Sequence, residues 1–178
     1  HLLFIYRRCT LRLTRLQKFY FLFFFILFFY DAKAYDLAGV NSTFNFGAVA
    51  SPFPDLTLTD SSICVGYTVL LEPSSYYVRA TSSSSSSTAF QLTNTTNSAY
   101  KLNYSVSWAG SSGGSPSFVS LSSGQNSPST FPAQLLGGLT CLLLPNNATL
   151  QLKLLGVDQV LAKQGSYTDT LTILIVAS

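Results

Sequence analysis

The chain has 178 residues, no Met, a single Trp, three Cys and 10% charged side chains, with a formal net charge of +3. The positive sign is confined to the start. Arg7, Arg8, Arg12, Arg15, Lys18 and Lys33 precede Tyr35, and beyond it four basic side chains (Arg79, Lys101, Lys153, Lys163) meet six acidic ones, a balance of −2. With no basic patch, nucleic acid and anionic lipid are excluded as expected partners.

Phe19 to Tyr30 (FYFLFFFILFFY) is an unbroken apolar run, preceded by basic residues and followed by Ala32-Lys33-Ala34. A charged lead, a short apolar stretch and a small-x-small site make a secretory signal peptide, with cleavage expected after Ala34. The alternative is a membrane anchor. Twelve helical residues rise only about 18 Å against a bilayer core of about 30 Å, and Lys18 and Asp31 bound the run. The expected organisation is therefore a signal peptide over 1–34 and one domain over 35–178, with membrane contact through the signal peptide alone. The chain opens on His1, so HLLFIYRRCTLRLTR reads as a fragment end or as residues upstream of a start near Leu16.

Period-two alternation dominates the chain beyond Tyr35. Phe44 and Phe46 alternate with polar residues in Ser42 to Val49, and Ile63, Val65, Tyr67 and Val69 do so in Ser62 to Leu71. Tyr76 to Thr81 and Thr88 to Thr93 are short strand candidates. Tyr100, Leu102, Tyr104, Val106 and Trp108 share a face of Ala99 to Ala109, as do Leu150, Leu152 and Leu154 of Ala148 to Leu155. Thr168 to Val176 (TDTLTILIV) is the last strand. Val157 to Lys163 reads as one helical turn or a strand. Such segments, separated by Gly, Pro, Ser and Asn clusters, predict an antiparallel β-sandwich.

The connections Ser82 to Ser87, Gly110 to Ser117 and Leu121 to Thr130 are rich in small residues and read as solvated loops. The prolines fall between strand candidates, as ladder geometry demands. Cys9 lies in the segment expected to be removed, which leaves Cys64 and Cys141 as an even pair in an oxidising compartment. A bridge between them would close a loop worth roughly 4 kcal/mol in chain entropy; two free buried thiols are the alternative. The only His is His1, so the domain offers no imidazole for a Ser-His-Asp arrangement and no zinc ligand set. A Ser-Lys pair has no local motif behind it. Asp55 and Asp60 in a Pro-rich stretch, and Asp158 and Asp169 flanking a hairpin, read as turn or solvent residues rather than a glycosidase pair. No catalytic residue, cofactor or metal is expected. Trp108 reads as core or rim, with a ligand platform as the alternative. Asn41, Asn94, Asn103 and Asn147 head N-x-S/T triplets, which are glycan sites only in a eukaryotic secretory route.

The last third carries a more specific pattern. Asn147 to Leu155 (NATLQLKLL) is followed by Gly165-Ser166-Tyr167-Thr168-Asp169-Thr170-Leu171-Thr172-Ile173. This resembles the closing G-x-Y-x-D-x-aliphatic-x-aliphatic strand of spore coat protein U domains, which are similar to subunits of archaic chaperone–usher pili. Gly165, Tyr167 and Asp169 carry the likeness. Phe90 to Asn94 followed by Tyr100 to Trp108, and Phe46-Gly47 ahead of a Cys-containing strand, resemble other parts of such subunits. The likeness spans most of Thr43 to Ser178. The family's first Cys near the mature N-terminus is missing, and the lead segment Tyr35 to Ser42 is short.

The resemblance implies an incomplete immunoglobulin-like sandwich, completed by a strand from a periplasmic chaperone and then from a neighbouring pilus subunit, with export through an outer-membrane usher to a cell-surface fibre. It implies adhesion and biofilm roles, and no enzyme. The residues support one part of this. Leu171, Ile173 and Ile175 form an apolar face of the last strand, Leu174 and Val176 partly cover the other, and the sequence ends at Ser178. An uncovered apolar edge strand invites pairing with another chain, so Leu171, Ile173 and Ile175 are the candidate groove. A ligand-binding tip adhesin, contacting a surface or glycan, is the second expectation.

Overall fold

Alternating β-branched and aromatic side chains become strands wherever one face finds a core. In the computed structural model, residues 35–41, 43–47, 53–67, 74–85, 87–136, 141–160 and 162–178 are described. The expected signal peptide and its site at Ala32 and Ala34, like Val69, lie outside them. The strands are β1 (Tyr35–Ala38), β2 (Leu56–Tyr67), β3 (Ser75–Ser82), β4 (Phe90–Asn94), β5 (Lys101–Ala109), β6 (Val119–Ser120), β7 (Phe131–Pro132), β8 (Gln134–Leu135), β9 (Ala148–Leu154), β10 (Tyr167–Thr168) and β11 (Leu171–Ala177). A short helix, α1 (Gly156–Val160), and a 3-10 turn, Cys141–Leu143, complete the described elements.

The strands form two sheets. The larger runs β1-β2-β9-β5-β4-β10, with β6 on β5 and β8 on β2; the smaller runs β11-β3-β7. Tyr76, Val78 and Ala80 of β3 share one buried cluster with Val106, Trp108, Leu150 and Leu152 of the large sheet, so the two sheets enclose a single core. β5 shows the expected pattern most plainly. Leu102, Tyr104, Val106 and Trp108 are buried while Lys101, Asn103 and Ser105 face out. Tyr100 does not join that face; it precedes the strand and is exposed. Trp108 is fully buried and donates Nε1–H to the Tyr76 hydroxyl at 3.3 Å. This places it in the core and removes it as a ligand platform. Burial pushes the Tyr76 hydroxyl up to about 12, partly offset by the Trp108 donor.

Several expectations are corrected. β2 begins at Leu56, six residues earlier than the alternation suggests, because a register shift against β9 between Asp60 and Ile63 breaks the period. Asp60 is therefore a strand residue at a bulge, not a turn residue. The pairing is antiparallel except for β2 with β8, which is parallel over Gly66 and Tyr67. There Gly66 is required by packing, since a Cβ would lie 2.2 Å from the Leu136 side chain. Pro132 lies inside β7, which is an edge strand, where a missing N–H is tolerated. Thr168 and Leu171 do not belong to one strand. β10 pairs β4 in the large sheet and β11 pairs β3 in the small one, so Asp158 and Asp169 flank no hairpin. Segment 43–47 carries alternating Phe44 and Phe46 but is not a strand.

Cys64 and Cys141 are joined as a disulfide with Cα atoms 5.6 Å apart, which excludes the free-thiol alternative. The bridge packs on Leu136, and Asp36 of β1 accepts from the Cys141 N–H at 2.9 Å. The connection Leu121 to Thr130 is largely exposed, as expected, but Leu121, Ser123 and Ser127 are buried and tie it to β3. Its Ser127 and Gly124 N–H groups donate to Val78 and Ala80 carbonyls, its Ser127 and Ser123 hydroxyls accept from Val78 and Ser82 N–H, and Asn126 bridges Arg79. An irregular, serine-rich segment thus covers one edge of β3 where a regular strand would otherwise pair.

Candidate functional site

The small sheet has two outer margins, and they are treated differently. One is closed by β7 and the serine-rich segment Leu121 to Thr130. The other is β11, whose ladder runs from Leu171 opposite Ser82 to Ala177 opposite Tyr76, all toward β3. Among the described residues no strand pairs with the second edge of β11. Leu171, Ile173 and Ile175 are half-buried and packed on the core, while Leu174 is 51% exposed.

Beside β11 opens a cleft of about 920 Å³. Leu102, Tyr104, Leu150 and Leu152 of the large sheet line it, with Leu171 and Ile173 of β11. Val40, Phe44 and Phe46 also line it. The structure therefore brings two of the three expected groove residues to one cavity. Ile175 packs on the core beyond the cleft lining. A cavity lined by apolar and polar residues, next to a strand paired on one edge among the described residues, can take a further extended chain. Backbone groups would then continue the ladder and alternate side chains would enter the cleft.

Gly165, Tyr167 and Asp169 border the same cleft, and each has a structural role. Gly165 has φ +138, a conformation open to glycine, and a Cβ there would fall 2.6 Å from Asn94 Nδ2. That close approach lets buried Asn94 donate to the Gln164 carbonyl while its Oδ1 accepts from Thr96 and Asn97 N–H. The Tyr167 hydroxyl accepts from Lys163 N–H at 2.9 Å and donates to Lys163 C=O at 3.0 Å, closing the turn before β10. Asp169 joins the two sheets. Its Oδ2 accepts the Tyr104 hydroxyl of β5 at 2.7 Å, and its Oδ1 accepts Ser83 Oγ, Ser84 N–H and Thr170 N–H at 2.8–3.0 Å. Ser82 Oγ also faces this carboxylate without completing a hydrogen bond of ordinary geometry. Burial alone would raise the Asp169 carboxyl, but the donors around it hold it below the usual carboxylate value. Burial, then the partnership with Asp169, pushes the Tyr104 hydroxyl well up. The start of the serine run is thus part of a polar clamp, a role its composition does not reveal.

Asp55 is an exposed capping residue. It pairs with Lys153 Nζ at 2.8 Å and accepts the Gly156 N–H that opens α1. Those two bonds hold its carboxyl below the usual value. Of the four N-x-S/T asparagines, Asn41 and Asn103 are exposed. Asn94 is buried, and Asn147 spends its amide on both the N–H and C=O of Val65. Among the described residues no three His, Cys, Asp or Glu side chains gather as metal ligands, and no helix is long and apolar enough to cross a membrane.

No family model and no curated protein sequence matches the chain. The fold is similar to a solved structure from work on the chaperone–tip adhesin complex and CFA/I fimbriae biogenesis, with TM-score 0.56 and 16% identity over 81% of this chain. The chain spans 42% of that protein's length. A second solved structure, CfaE, the adhesive subunit of CFA/I fimbria of enterotoxigenic Escherichia coli, aligns over 70% of this chain and 36% of its own length, at 16% identity and TM-score 0.42. The all-β architecture thus resembles the first of these two structures at the level of the fold alone.

Proposed function

We propose that the chain is a structural subunit of a surface fibre of the chaperone–usher type, assembled by donation of a strand to the open edge of β11. The carrying observation is that edge, half-paired on β3 and bordering a cleft of about 920 Å³ lined by both apolar and polar residues. On this reading the domain is a spore coat protein U-like, immunoglobulin-type sandwich that lacks one strand. A periplasmic chaperone fills the position first and a neighbouring subunit replaces it after passage through an outer-membrane usher. The N-terminal apolar run serves as the export signal, cut after Ala34, and the fibre stands at the cell surface in adhesion and biofilm formation. The likeness to fimbrial proteins supports this at the level of fold.

Tyr35–Ala38 is committed to its own sheet as β1, with Leu37 on the core. That supports a subunit which accepts a strand and does not donate this segment, as a terminal or tip subunit would. A ligand-binding adhesin is compatible with the same position; binding of the isolated domain to glycan arrays separates it from a purely structural subunit.

The test is the state of the purified exported chain. Without a partner it should self-associate with rising concentration, and β11 amides should exchange quickly with solvent. Co-expression with a chaperone encoded beside it should yield a soluble one-to-one complex with those amides protected. A partner-free monomer whose β11 amides are protected along both edges refutes the proposal.

A further inference from the structure

The cleft is already partly occupied by the chain itself. Residues 43–47 alternate as a strand would. Phe44 and Phe46 are half-buried against the core, and Thr43, Asn45 and Gly47 are exposed. Yet among the described residues no backbone bond joins this segment to β11. Its N–H groups turn inward on themselves instead. Thr43 N–H donates to Asn41 Oδ1 at 3.2 Å and Gly47 N–H to Asn45 Oδ1 at 2.8 Å. The segment therefore rests in the cleft by side-chain burial, without the ladder that a paired strand would add.

Its upstream end is fastened at one place. The chain leaves β1 through Gly39, whose φ is +82 and whose Cβ, if present, would lie 1.9 Å from the Ser62 carbonyl oxygen. Asn41 N–H then donates to Asp60 Oδ2 at 2.7 Å, Ser62 N–H to Asp60 Oδ1 at 2.9 Å, and Ser62 Oγ–H is shared between the Gly39 carbonyl and Asp60 Oδ1. Asp60 is 8% exposed and lies at the bulge of β2. Burial opposes its charge, but these donors hold its carboxyl below the usual value. One donor to this buried carboxylate, Asn41 N–H, comes from the departing chain and the others from Ser62 of β2, so the Asn41–Asp60 bond acts as a latch between the two.

We propose that residues 43–47 are a strap that shields the cleft, latched at Asp60, and that it must leave before another strand can pair with β11. Phe44 and Phe46 share the lining of the cleft with Leu171 and Ile173. An incoming strand offers comparable apolar side chains together with backbone bonds to β11, so it outcompetes the strap once the latch opens. The competition rests on the proposed role of β11 as a strand acceptor; the latch and the shielding do not.

The experiment uses the full exported chain and a fluorescein-labelled peptide of its own residues 40–47 as probe. Two loosened forms are compared with the natural chain. One is Phe44→Ser with Phe46→Ser, which removes the buried side chains. The other is Asp60→Asn, which sets an amide N–H₂ against one of the two backbone donors. Near-ultraviolet circular dichroism and the fluorescence of buried Trp108 establish that each variant is folded. The peptide should bind the loosened forms at least about tenfold more tightly, the factor expected from losing the burial of part of one phenylalanine. 8-Anilinonaphthalene-1-sulfonate fluorescence should rise in parallel. Equal binding to natural and loosened chains, or no binding to any of them, overturns the strap. A strap that behaves as stated in a chain that never forms complexes with a chaperone or a second subunit would sink the fibre reading alone.

Discussion

Tyr104→Phe tests the clamp at the margin of the cleft. The change removes one hydroxyl and leaves the ring, so packing against Phe90, whose centroid is 5.7 Å away, is retained. What is lost is an O–H donor to a carboxylate at 2.7 Å, from a tyrosine only 8% exposed. Hydrogen bonds to charged groups contribute about 1.5–3 kcal/mol. Asp169 keeps Ser83, Ser84 and Thr170 as donors and is itself partly open to water. That places the expected loss near the lower end, about 2 kcal/mol, or roughly 5 °C in Tm for a domain of this size. Urea unfolding followed by Trp108 fluorescence measures it. The loss must also depend on pH. The folded state holds the Asp169 carboxyl below its ordinary 3.8, so this stabilisation is present above 3.8 and disappears as pH falls through the lower folded value. The deficit of the variant should be constant near neutrality and shrink in acid. A deficit below about 0.5 kcal/mol at neutral pH, or one unchanged in strong acid, refutes the clamp.

Removing the disulfide by Cys64→Ala with Cys141→Ala frees a separation of 77 residues. The chain-entropy relation gives about 4.5 kcal/mol, and chemical denaturation reporting less than about 1 kcal/mol would contradict it. Gly165→Ala forces a Cβ to within 2.6 Å of Asn94 at φ +138; a loss above about 2 kcal/mol is expected, and a double-mutant cycle with Asn94→Ala should show coupling between the two sites. Tyr76 and Tyr104 have folded hydroxyls raised above the ordinary 10.0, Tyr76 to about 12. Their stabilisation is complete below pH 10.0 and is lost as pH rises beyond it. Absorbance at the phenolate band should show both ionising only as the chain unfolds. Expressed in a eukaryotic secretory route, the chain should take glycans at exposed Asn41 and Asn103 and none at Asn94 or Asn147, as peptide mass mapping would reveal.

The amino-acid sequence by itself determines which residues face inward on the regular strands β5 and β9. Alternation from Lys101 to Trp108 and from Leu150 to Leu154 maps onto burial, because the side-chain period of a strand is two whatever its neighbours are. It also limits the chemistry: with its only His at position 1, the domain has no imidazole to offer. Tertiary structure decides the rest, and the reasons are particular. The bulge at Asp60 breaks the period, so the first half of β2 and the latch residue look like a turn in one dimension. Serines that read as solvent-facing cover β3 because their hydroxyls and N–H groups meet strand carbonyls and amides brought from far away in the chain. Phe44 and Phe46 carry a strand pattern yet make no ladder with the described residues, since alternation reports a buried face and says nothing about a hydrogen-bonded edge. Edge pairing is a relation between segments distant in sequence, so which side of β11 lacks a partner among the described residues is a property of the assembled sheets.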